Sequence, residues 1–248
     1  MSSASGKRRR PRGDPSLTCR GDHERALRAR GFSRVAGLDE AGRGCLFGAV
    51  FAAAVILDPE RPVRGLRDSK QLTPQERARL APRIRERAVA WAVASVGASE
   101  IDRVNIYEAA RAAMLRAVQA IAPPPDCLLI DALRLDTAIP QRALIRGDAR
   151  CRSIAAASIL AKVARDESML VWDAIYPGYG LARHKGYGTR EHLAALAALG
   201  PAPEHRRSFG PVRAACGLPP LPRNWFRQRD GADGQLLLFA EVWRTGCR

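Results

Sequence analysis

The chain has 248 residues, 46% of them hydrophobic, and a formal net charge of +16. This length and apolar content indicate one well-buried domain with appendages, or two small domains, and they exclude a largely disordered chain. The charge favours a polyanionic partner such as a nucleic-acid backbone over a membrane surface, because the sequence has no long apolar run and no lysine-rich amphipathic helix.

The first predicted elements are a basic tail, a short helix and two strands. Residues 1–18 mix clustered Lys and Arg with Ser, Gly and Pro, which predicts a disordered tail. The tail either adds nonspecific nucleic-acid affinity or is merely solvated. A short helix over 22–30 precedes two apolar strands at Val35–Leu38 and Gly48–Leu57. This order predicts a strand-turn-strand unit near the start of the domain.

The turn between these strands, Asp39-Glu40-Ala41-Gly42-Arg43-Gly44, joins two adjacent carboxylates to two glycines and an arginine. Neighbouring side chains in a strand point to opposite faces, so both carboxylates reach one site only if the pleat breaks, which the glycines allow. The glycines also let backbone N–H groups approach a phosphate beside the Arg43 cation. A hairpin with solvated acidic residues is the alternative, and Asp-Glu considered alone favours it.

The rest of the chain predicts further strands that alternate with helices. Thr73 as N-cap, followed by Pro74 and Glu76, predicts a helix to about Arg87, and residues 101–121 form one long helix or a short turn and a helix. Further strands are predicted over Trp91–Val96, Cys127–Ile130 and Ala143–Ile145, and further helices over about Ser153–Trp172 and from Thr189 to about Leu199. This pattern predicts an α/β fold, a mixed five-stranded sheet with helices on both faces. A helical or irregular C-terminal extension follows over 218–248.

The cysteines and histidines lack the spacings of metal ligands. The six cysteines include no Cys-x-x-Cys pair, the four histidines have no zinc-ligand spacing, and no apolar segment follows the basic N-terminus. We therefore expect a cytoplasmic protein with free thiols and no zinc site.

Two more acidic residues are candidates for a functional site. Asp131 directly follows a continuously apolar strand, and ligands collect at strand ends in such sheets. An ordinary polar strand terminus is an equally weighted alternative. Asp166 lies on a predicted helix, four residues after Lys162 and therefore on the same face, although a solvated face explains it too.

Six strings resemble, in the right order, the bacterial type 2 ribonuclease H family, ribonuclease HII. They are Asp-Glu-Ala-Gly-Arg-Gly at 39–44, Asp-Ser-Lys at 68–70, Ile-Asp-Ala at 130–132, Gly-Asp-Ala at 147–149, Ser-Ile-Ala-Ala-Ala-Ser-Ile-Leu-Ala-Lys-Val-Ala-Arg-Asp at 153–166 and His-Lys-Gly-Tyr-Gly-Thr at 184–189. The resemblance covers about 22–213, and it implies a ribonuclease H-like catalytic domain over 19–217. Residues 133–145 and everything beyond 217 follow no string of the family.

The resemblance also implies roles for individual residues. Asp39, Glu40, Asp131 and Asp166 would hold the catalytic divalent metals, and oxygen-only ligands suit Mg²⁺ or Mn²⁺. The turn residues would grip the ribonucleotide 2′-OH, and a tyrosine would pack on the following deoxyribose, unless that tyrosine is a half-buried core residue. The residues implied in substrate binding, including three lysines as phosphate contacts, are Gly42, Arg43, Gly44, Lys70, Lys162, Lys185 and Tyr187.

The implied function is an endonuclease of ribonucleotide excision repair. It would hydrolyse the RNA strand of RNA-DNA hybrids and cut 5′ of single ribonucleotides embedded in duplex DNA, leaving 3′-OH and 5′-phosphate ends. A junction resolvase is the alternative among enzymes, although the glycine-arginine turn and Tyr187 argue against it. A noncatalytic basic RNA-binding module is the other alternative; it would need no carboxylates and would bind equally well with EDTA.

A short apolar string near the C-terminus, Gln235-Leu236-Leu237-Leu238-Phe239, resembles the peptides with which bacterial repair enzymes bind the sliding clamp. By that resemblance, Gln235 supplies polar contacts while Leu236, Leu238 and Phe239 fill an apolar groove. The alternative is a tail that docks back on its own domain.

Overall fold

A five-stranded sheet in the order β3-β2-β1-β4-β5 organises residues 19–222, the part of the chain that the computed structural model describes. The antiparallel strands β1, β2 and β3 form a meander, whereas β4 runs parallel to β1 and β5 runs parallel to β4. The carboxyl ends of β1, β4 and β5 therefore meet at one edge. The strands are β1 (Val35–Ala41), β2 (Val50–Leu57), β3 (Ala88–Val96), β4 (Cys127–Asp131) and β5 (Gln141–Leu144).

Helices cover both faces of the sheet, which confirms the predicted fold class. The side chains of α4 share an apolar cluster with Leu38 and Ile130 on one face, and those of α6 share another with Ala53 and Val55 on the opposite face. The helices are α1 (Asp22–Arg28), α2 (Pro74–Arg87), α3 (Ala98–Val104), α4 (Ile106–Ala120), α5 (Gly147–Arg150), α6 (Arg152–Ile175), α7 (Leu181–His184), α8 (Arg190–Leu199) and α9 (Gly210–Ala215), with a 3₁₀ turn at Ser69–Gln71.

The central strand β4 and the long helix α6 form the middle of the core. Leu128, Leu129 and Ile130 are buried on both faces of the sheet, and each contributes roughly 1.5–3 kcal/mol of transfer free energy. The small residues of α6 allow the helix to lie directly on β1. A Cβ at Gly37 would lie 2.1 Å from the backbone carbon of Ser153, so no side chain fits there.

Local capping signals set several of the helix boundaries. Thr73 and Glu76 form a capping box at the start of α2, and the Thr189 side chain caps α8, as the sequence predicts. Residues 98–120 are two helices, because Asn105 adopts a φ of 74° and its side chain accepts from the N–H groups of Tyr107 and Glu108. The strand predicted over 143–145 is Gln141–Leu144 instead.

The predicted basic tail over 1–18 and residues 223–248 of the predicted extension lie outside the described residues. The clamp-peptide string at 235–239 therefore lies outside them as well. Residues 218–222 have no regular secondary structure. Within the described chain, no helix is both long enough and apolar enough to cross a membrane.

Candidate active site

The acidic pair Asp39-Glu40 lies within β1 and not in a turn. The strand continues to Ala41, with Asp39 opposite Ala53 and Glu40 opposite Ala52, so the expected break in the pleat is wrong. Regular alternation sends the two carboxylates to opposite faces. Asp39 faces α6, where it is hydrogen-bonded to Ser158, while Glu40 accepts from Arg43 at 3.1 Å. Both carboxylates nevertheless lie at the same end of the strand.

Three aspartates from three elements converge at this edge of the sheet. Asp39 lies on β1, Asp131 ends the adjacent β4, and Asp148 lies on α5 directly after β5. Each offers a carboxylate oxygen, and these oxygens all lie within 4.8 Å of one another. The Gly147 N–H donates to Asp131 Oδ1 at 2.8 Å, which fixes the carboxylate of Asp131 beside Asp148. We call Asp39, Asp131 and Asp148 the carboxylate group.

Burial and mutual repulsion disfavour the charged forms of Asp39, Glu40 and Asp148. Burial raises the pKa of Asp39 well above its ordinary value, and the neighbouring charges of Glu40 and Asp131 add to the effect. Burial also raises the pKa of Asp148, with further contributions from Asp68 and Asp131. The pKa of Glu40 is raised by burial against the opposing charge of Arg43. One oxygen of Glu40, Oε2, is buried without a hydrogen-bond partner. A divalent cation with oxygen ligands would relieve all of these costs.

Asp166 does not join the carboxylate group in this structure. Its carboxylate pairs with Lys162 one turn earlier on α6, as the shared helix face predicted, and with Arg77 Nη2 at 3.6 Å. Arg77 in turn donates to the carbonyl oxygens of Ser69 and Leu72. Asp166 thus connects α6 to the segment that carries the Asp-Ser-Lys string, and its role as a metal ligand stays a prediction.

Sequence reasoning did not assign Asp148 to the site, although the Gly-Asp-Ala string contains it. A signal was available, because Asp148 follows strand β5 just as Asp131 ends β4, and ligands collect at the carboxyl ends of parallel strands. Ser69 and Ser158 were missed too. The hydroxyls of Ser158 and Ser69 are hydrogen-bonded to each other at 2.8 Å, and Ser158 is also hydrogen-bonded to Asp39, so this pair holds the Asp39 carboxylate in place.

Basic and aromatic side chains surround the carboxylate group. Lys70 Nζ lies 3.6 Å from Asp148 Oδ2 on a side chain that is 81% exposed. Lys162 Nζ lies 5.7 Å from the ring centre of Tyr187, which is 42% exposed. Lys185 adopts a left-handed backbone conformation between α7 and Tyr187. The Arg43 guanidinium lies 4.7 Å from the ring centre of Tyr107.

The two glycines of the turn differ in what the fold demands of them. Gly42 has a φ of 97°, and a Cβ there would lie 2.4 Å from Nε of the buried Arg165. Gly44 has no left-handed conformation, and a Cβ there would meet no atom within 4 Å. The fold therefore requires glycine at 42 but not at 44, where the backbone faces open space.

Comparison with known proteins finds relatives in both sequence and fold. A family model described as Ribonuclease HII matches residues 36–212. A Ribonuclease HII from Solibacter usitatus is 64% identical over 201 residues, which cover 81% of this chain and 88% of that protein. The ribonuclease H2 structure from Pyrococcus horikoshii OT3 matches with a TM-score of 0.63 and 25% identity, covering 74% and 97% of the two chains. The RNase HII chain of a PCNA complex from Archaeoglobus fulgidus matches with a TM-score of 0.57 and 26% identity, covering 70% and 93%.

Proposed function

Because this chain belongs to the ribonuclease HII family, and so is a ribonuclease H that cuts RNA strands, we propose a specific activity for its site. The enzyme hydrolyses the RNA strand of RNA-DNA hybrids and cuts 5′ of single ribonucleotides in duplex DNA, leaving 3′-OH and 5′-phosphate ends. The convergence of Asp39, Asp131 and Asp148 beside Glu40 is the observation that carries this proposal. The noncatalytic RNA-binding alternative is wrong for a member of this enzyme family.

The donor set fits a divalent metal. Its oxygens are carboxylates alone, which suits Mg²⁺ or Mn²⁺. The burial and repulsion that raise the pKa values of Asp39 and Asp148 need a cation for compensation. We assign the carboxylate group and Glu40 as the residues that would hold the metal. Asp148 is preferred to Asp166 because its oxygen lies with those of Asp39 and Asp131, whereas Asp166 pairs with Lys162 and Arg77. When bound, two such ions would activate water and stabilise the leaving 3′ oxygen.

The surrounding residues position the substrate in this proposal. Lys70, Lys162 and Lys185 contact phosphates, which orients the strand without reading its sequence. The turn Gly42-Arg43-Gly44 binds the 2′-OH side of the scissile position, because Gly44 leaves room for a close backbone approach. The exposed ring of Tyr187 packs on the following deoxyribose, where a 2′-OH would collide with it. The site therefore reads RNA on one side and DNA on the other.

A cleavage assay tests the proposed activity directly. The substrates are a labelled duplex with one ribonucleotide, a continuous RNA-DNA hybrid and an all-DNA duplex of the same sequence, each with Mg²⁺, Mn²⁺ or EDTA. We expect cleavage of the first two with either metal, on the 5′ side of the ribonucleotide, and none with EDTA. Cleavage of the all-DNA duplex, or full activity in EDTA, would contradict the proposal.

We also propose a partner and a division of the chain. Residues 19–217 form the catalytic domain, and Gln235, Leu236, Leu238 and Phe239 bind the replication sliding clamp, which would bring a repair nuclease to newly made DNA. The Archaeoglobus fulgidus relative, whose structure is a complex with PCNA, supports this partner class.

A titration of the full chain with the cognate clamp tests the partner. Binding should disappear in a Leu238→Ala, Phe239→Ala double variant whose melting temperature is unchanged. No binding by the parent chain, or a variant that melts earlier, would favour the docked-tail alternative.

A further inference from the structure

Two arginines with no solvent exposure, Arg165 on α6 and Arg206 before α9, lie beneath the segment 42–49. Neither has a carboxylate oxygen within 4.0 Å among residues 19–222, and both donate to backbone carbonyls instead. One donor of each, Arg165 Nε and Arg206 Nη2, is buried without an acceptor. Buried guanidinium groups with unmatched charge are costly, so their position calls for a physical reason.

Arg165 joins two segments that are far apart in the sequence. Its Nη1 donates to the carbonyl of Ala49 at 2.6 Å, and its Nη2 donates to the carbonyls of Phe47 at 3.1 Å and Lys185 at 3.0 Å. The first two acceptors follow the glycine-arginine turn, and the third lies two residues before Tyr187. One rigid, planar side chain thus holds both segments that carry the proposed substrate contacts.

Two glycines provide the space that this guanidinium occupies. A Cβ at Gly42 would lie 2.4 Å from Arg165 Nε and 2.8 Å from Cζ, and a Cβ at Gly186 would lie 3.1 Å from Nη2. Both glycines have positive φ values, 97° and 77°. The turn 42–44 and the loop 185–189, which we call the Tyr187 loop, therefore both close on one side chain, the first at Nε and the second at Nη2. The separation of the two segments depends on the shape of that side chain.

Backbone hydrogen bonds and Arg206 complete the connection. The Leu46 N–H donates to the carbonyl of Gly186 at 2.8 Å, and Cys45 forms an isolated β-bridge with Tyr187. Arg206 donates from Nε to the carbonyl of Gly48 and from Nη1 to that of Arg43. Apolar side chains of similar volume often stabilise a core as well as buried charged side chains do. Stability alone therefore does not explain these arginines, and their particular contribution is to hold the two segments in position.

We propose that Arg165 is a positioning residue that fixes the glycine-arginine turn and the Tyr187 loop at one separation, so that the two sides of an RNA-DNA junction are read together. This inference rests on the proposed function, in which the turn contacts the ribonucleotide and Tyr187 the following deoxyribose. Loss of Arg165 should then affect the enzyme's preference between substrates and not merely its stability.

The test compares Arg165→Lys and Arg165→Met with the parent and with Met114→Ala, a fully buried control in the α4 cluster on the other face of the sheet. The measured quantity is kcat/KM on the single-ribonucleotide duplex divided by kcat/KM on the continuous hybrid. We expect this ratio to fall by ~10-fold or more in both Arg165 variants, since small misplacements of positioning groups are costly. Met114→Ala should lose stability and keep the parent ratio. An unchanged ratio in folded Arg165 variants would overturn the proposal.

A double-mutant cycle between Arg43→Ala and Tyr187→Ala gives a second readout. In the parent background, the losses of kcat/KM that the two substitutions cause on the single-ribonucleotide duplex should be non-additive. In the Arg165→Lys background, these losses should become additive. Additive losses in both backgrounds would refute the proposed coupling. A parent chain that cleaves neither substrate would instead refute the proposed function, so the two failures are distinguishable.

Hydrogen exchange measures the connection between the two segments without an activity assay. It can also be applied to variants that are less stable than the parent chain. In Arg165→Lys, amide protection should fall together in residues 45–49 and 185–189 while the amides of β4 keep theirs. Arg206→Lys is the comparison: it removes donors to the carbonyls of Gly48 and Arg43 only, so it should lower protection in residues 45–49 and not in 185–189. In an Arg165 variant, retained protection of both segments, or loss in only one of them, would contradict the proposal.

Discussion

At the residue scale, the placement of the acids distinguishes Asp148 from Asp166. The oxygen of Asp148 lies with those of Asp39 and Asp131, whereas Asp166 has Lys162 and Arg77 as partners. A carboxylate in the first environment is available to a cation, and one in the second is already compensated. The difference gives opposite expectations for two conservative substitutions.

Asp148→Asn should reduce single-turnover cleavage by ~100-fold or more while leaving hybrid binding nearly intact, because it removes a metal ligand and not a phosphate contact. Asp39→Asn should behave in the same way. Asp166→Asn should lower the melting temperature and reduce cleavage by less than ~10-fold, since it mainly breaks two ion pairs. Exposed Glu167→Gln is the control. A loss in Asp166→Asn as large as that in Asp148→Asn, at unchanged melting temperature, would make Asp166 the ligand.

The two glycines of the turn give a second prediction at this scale. Gly42→Ala should destabilise the fold by more than ~1 kcal/mol, because its φ is positive and its Cβ would collide with Arg165. Gly44→Ala should change the unfolding free energy by less than ~0.5 kcal/mol and still reduce kcat/KM on the single-ribonucleotide duplex. Gly97→Ala, also in open space but outside the site, is the matched control. Full activity of Gly44→Ala would remove Gly44 from substrate contact.

At the element scale, three buried histidines join α7, α8 and the segment after them. Nδ1 of His205 accepts from the N–H of Ala202, so its Nε2 carries the proton and donates to Nε2 of His192 at 3.1 Å. His192 therefore donates from Nδ1 to the carbonyl of Tyr187. The ring of His184 stacks on that of His192, with centroids 4.4 Å apart. This chain of contacts holds the Tyr187 loop and requires His192 and His205 to be neutral.

Because His192 and His205 must be neutral in the folded chain, the direction in which stability changes with pH can be predicted. Burial, with a further contribution from His192, lowers the pKa of His205 from 6.5 to about 4, and burial lowers that of His192 as well. Below pH 6.5, His205 therefore binds a proton in the unfolded chain but stays neutral in the folded chain until the pH approaches 4. The stability from His205 is complete above pH 6.5 and decreases as the pH falls towards 4, by about 3 kcal/mol in all.

Urea unfolding of the parent and of His205→Gln at several pH values between 7 and 4 measures this contribution. The difference between their unfolding free energies should narrow as the pH falls, because glutamine does not titrate. Asp39 and Asp148 have raised pKa values, and their contributions to stability change with pH in the opposite direction, so only the difference between the two chains isolates His205. Parallel curves would show that His205 titrates normally in the folded state.

At the scale of the whole molecule, the net charge of +16 and the basic segment 1–18 bear on nucleic-acid affinity. Five positive side chains lie in that segment: Lys7, Arg8, Arg9, Arg10 and Arg12. Any of them that contacts a phosphate releases counterions, which makes hybrid binding more sensitive to salt.

Replacing these five residues by glutamine should reduce the slope of log affinity against log salt concentration, by roughly 0.9 for each phosphate that the segment no longer neutralises. The kcat at saturating hybrid and the melting temperature should not change, because α1 and the sheet begin after this segment. Hybrid affinities in EDTA between low and physiological salt give the slopes. Equal slopes for the two chains would show that the tail is only solvated.

Local signals in the chain were sufficient to predict most of the elements and the family. These signals depend on interactions within a few residues, so they can be recognised in the sequence. They are the apolar periodicity, the caps at Thr73 and Thr189 and the buried run at 127–130. The order of these strands and helices was enough for the fold class, and six ordered strings were enough for the family. The extension of β1 through Asp39 and Glu40 could not be predicted from the local sequence, because the pairing of this segment with β2 outweighs its turn signal.

Which charged residues meet, in contrast, depends on the packing of distant elements. The register of β4 and β5 brings Asp148 to Asp39 across more than a hundred residues of sequence. The packing of α2 on α6 places Arg77 beside Asp166. The burial of Arg165 and Arg206 likewise has no local signal, since an arginine is normally exposed. Hydrogen bonds and charge pairs of this kind depend on distances between elements, and those distances exist only once the sheet and its helices have packed.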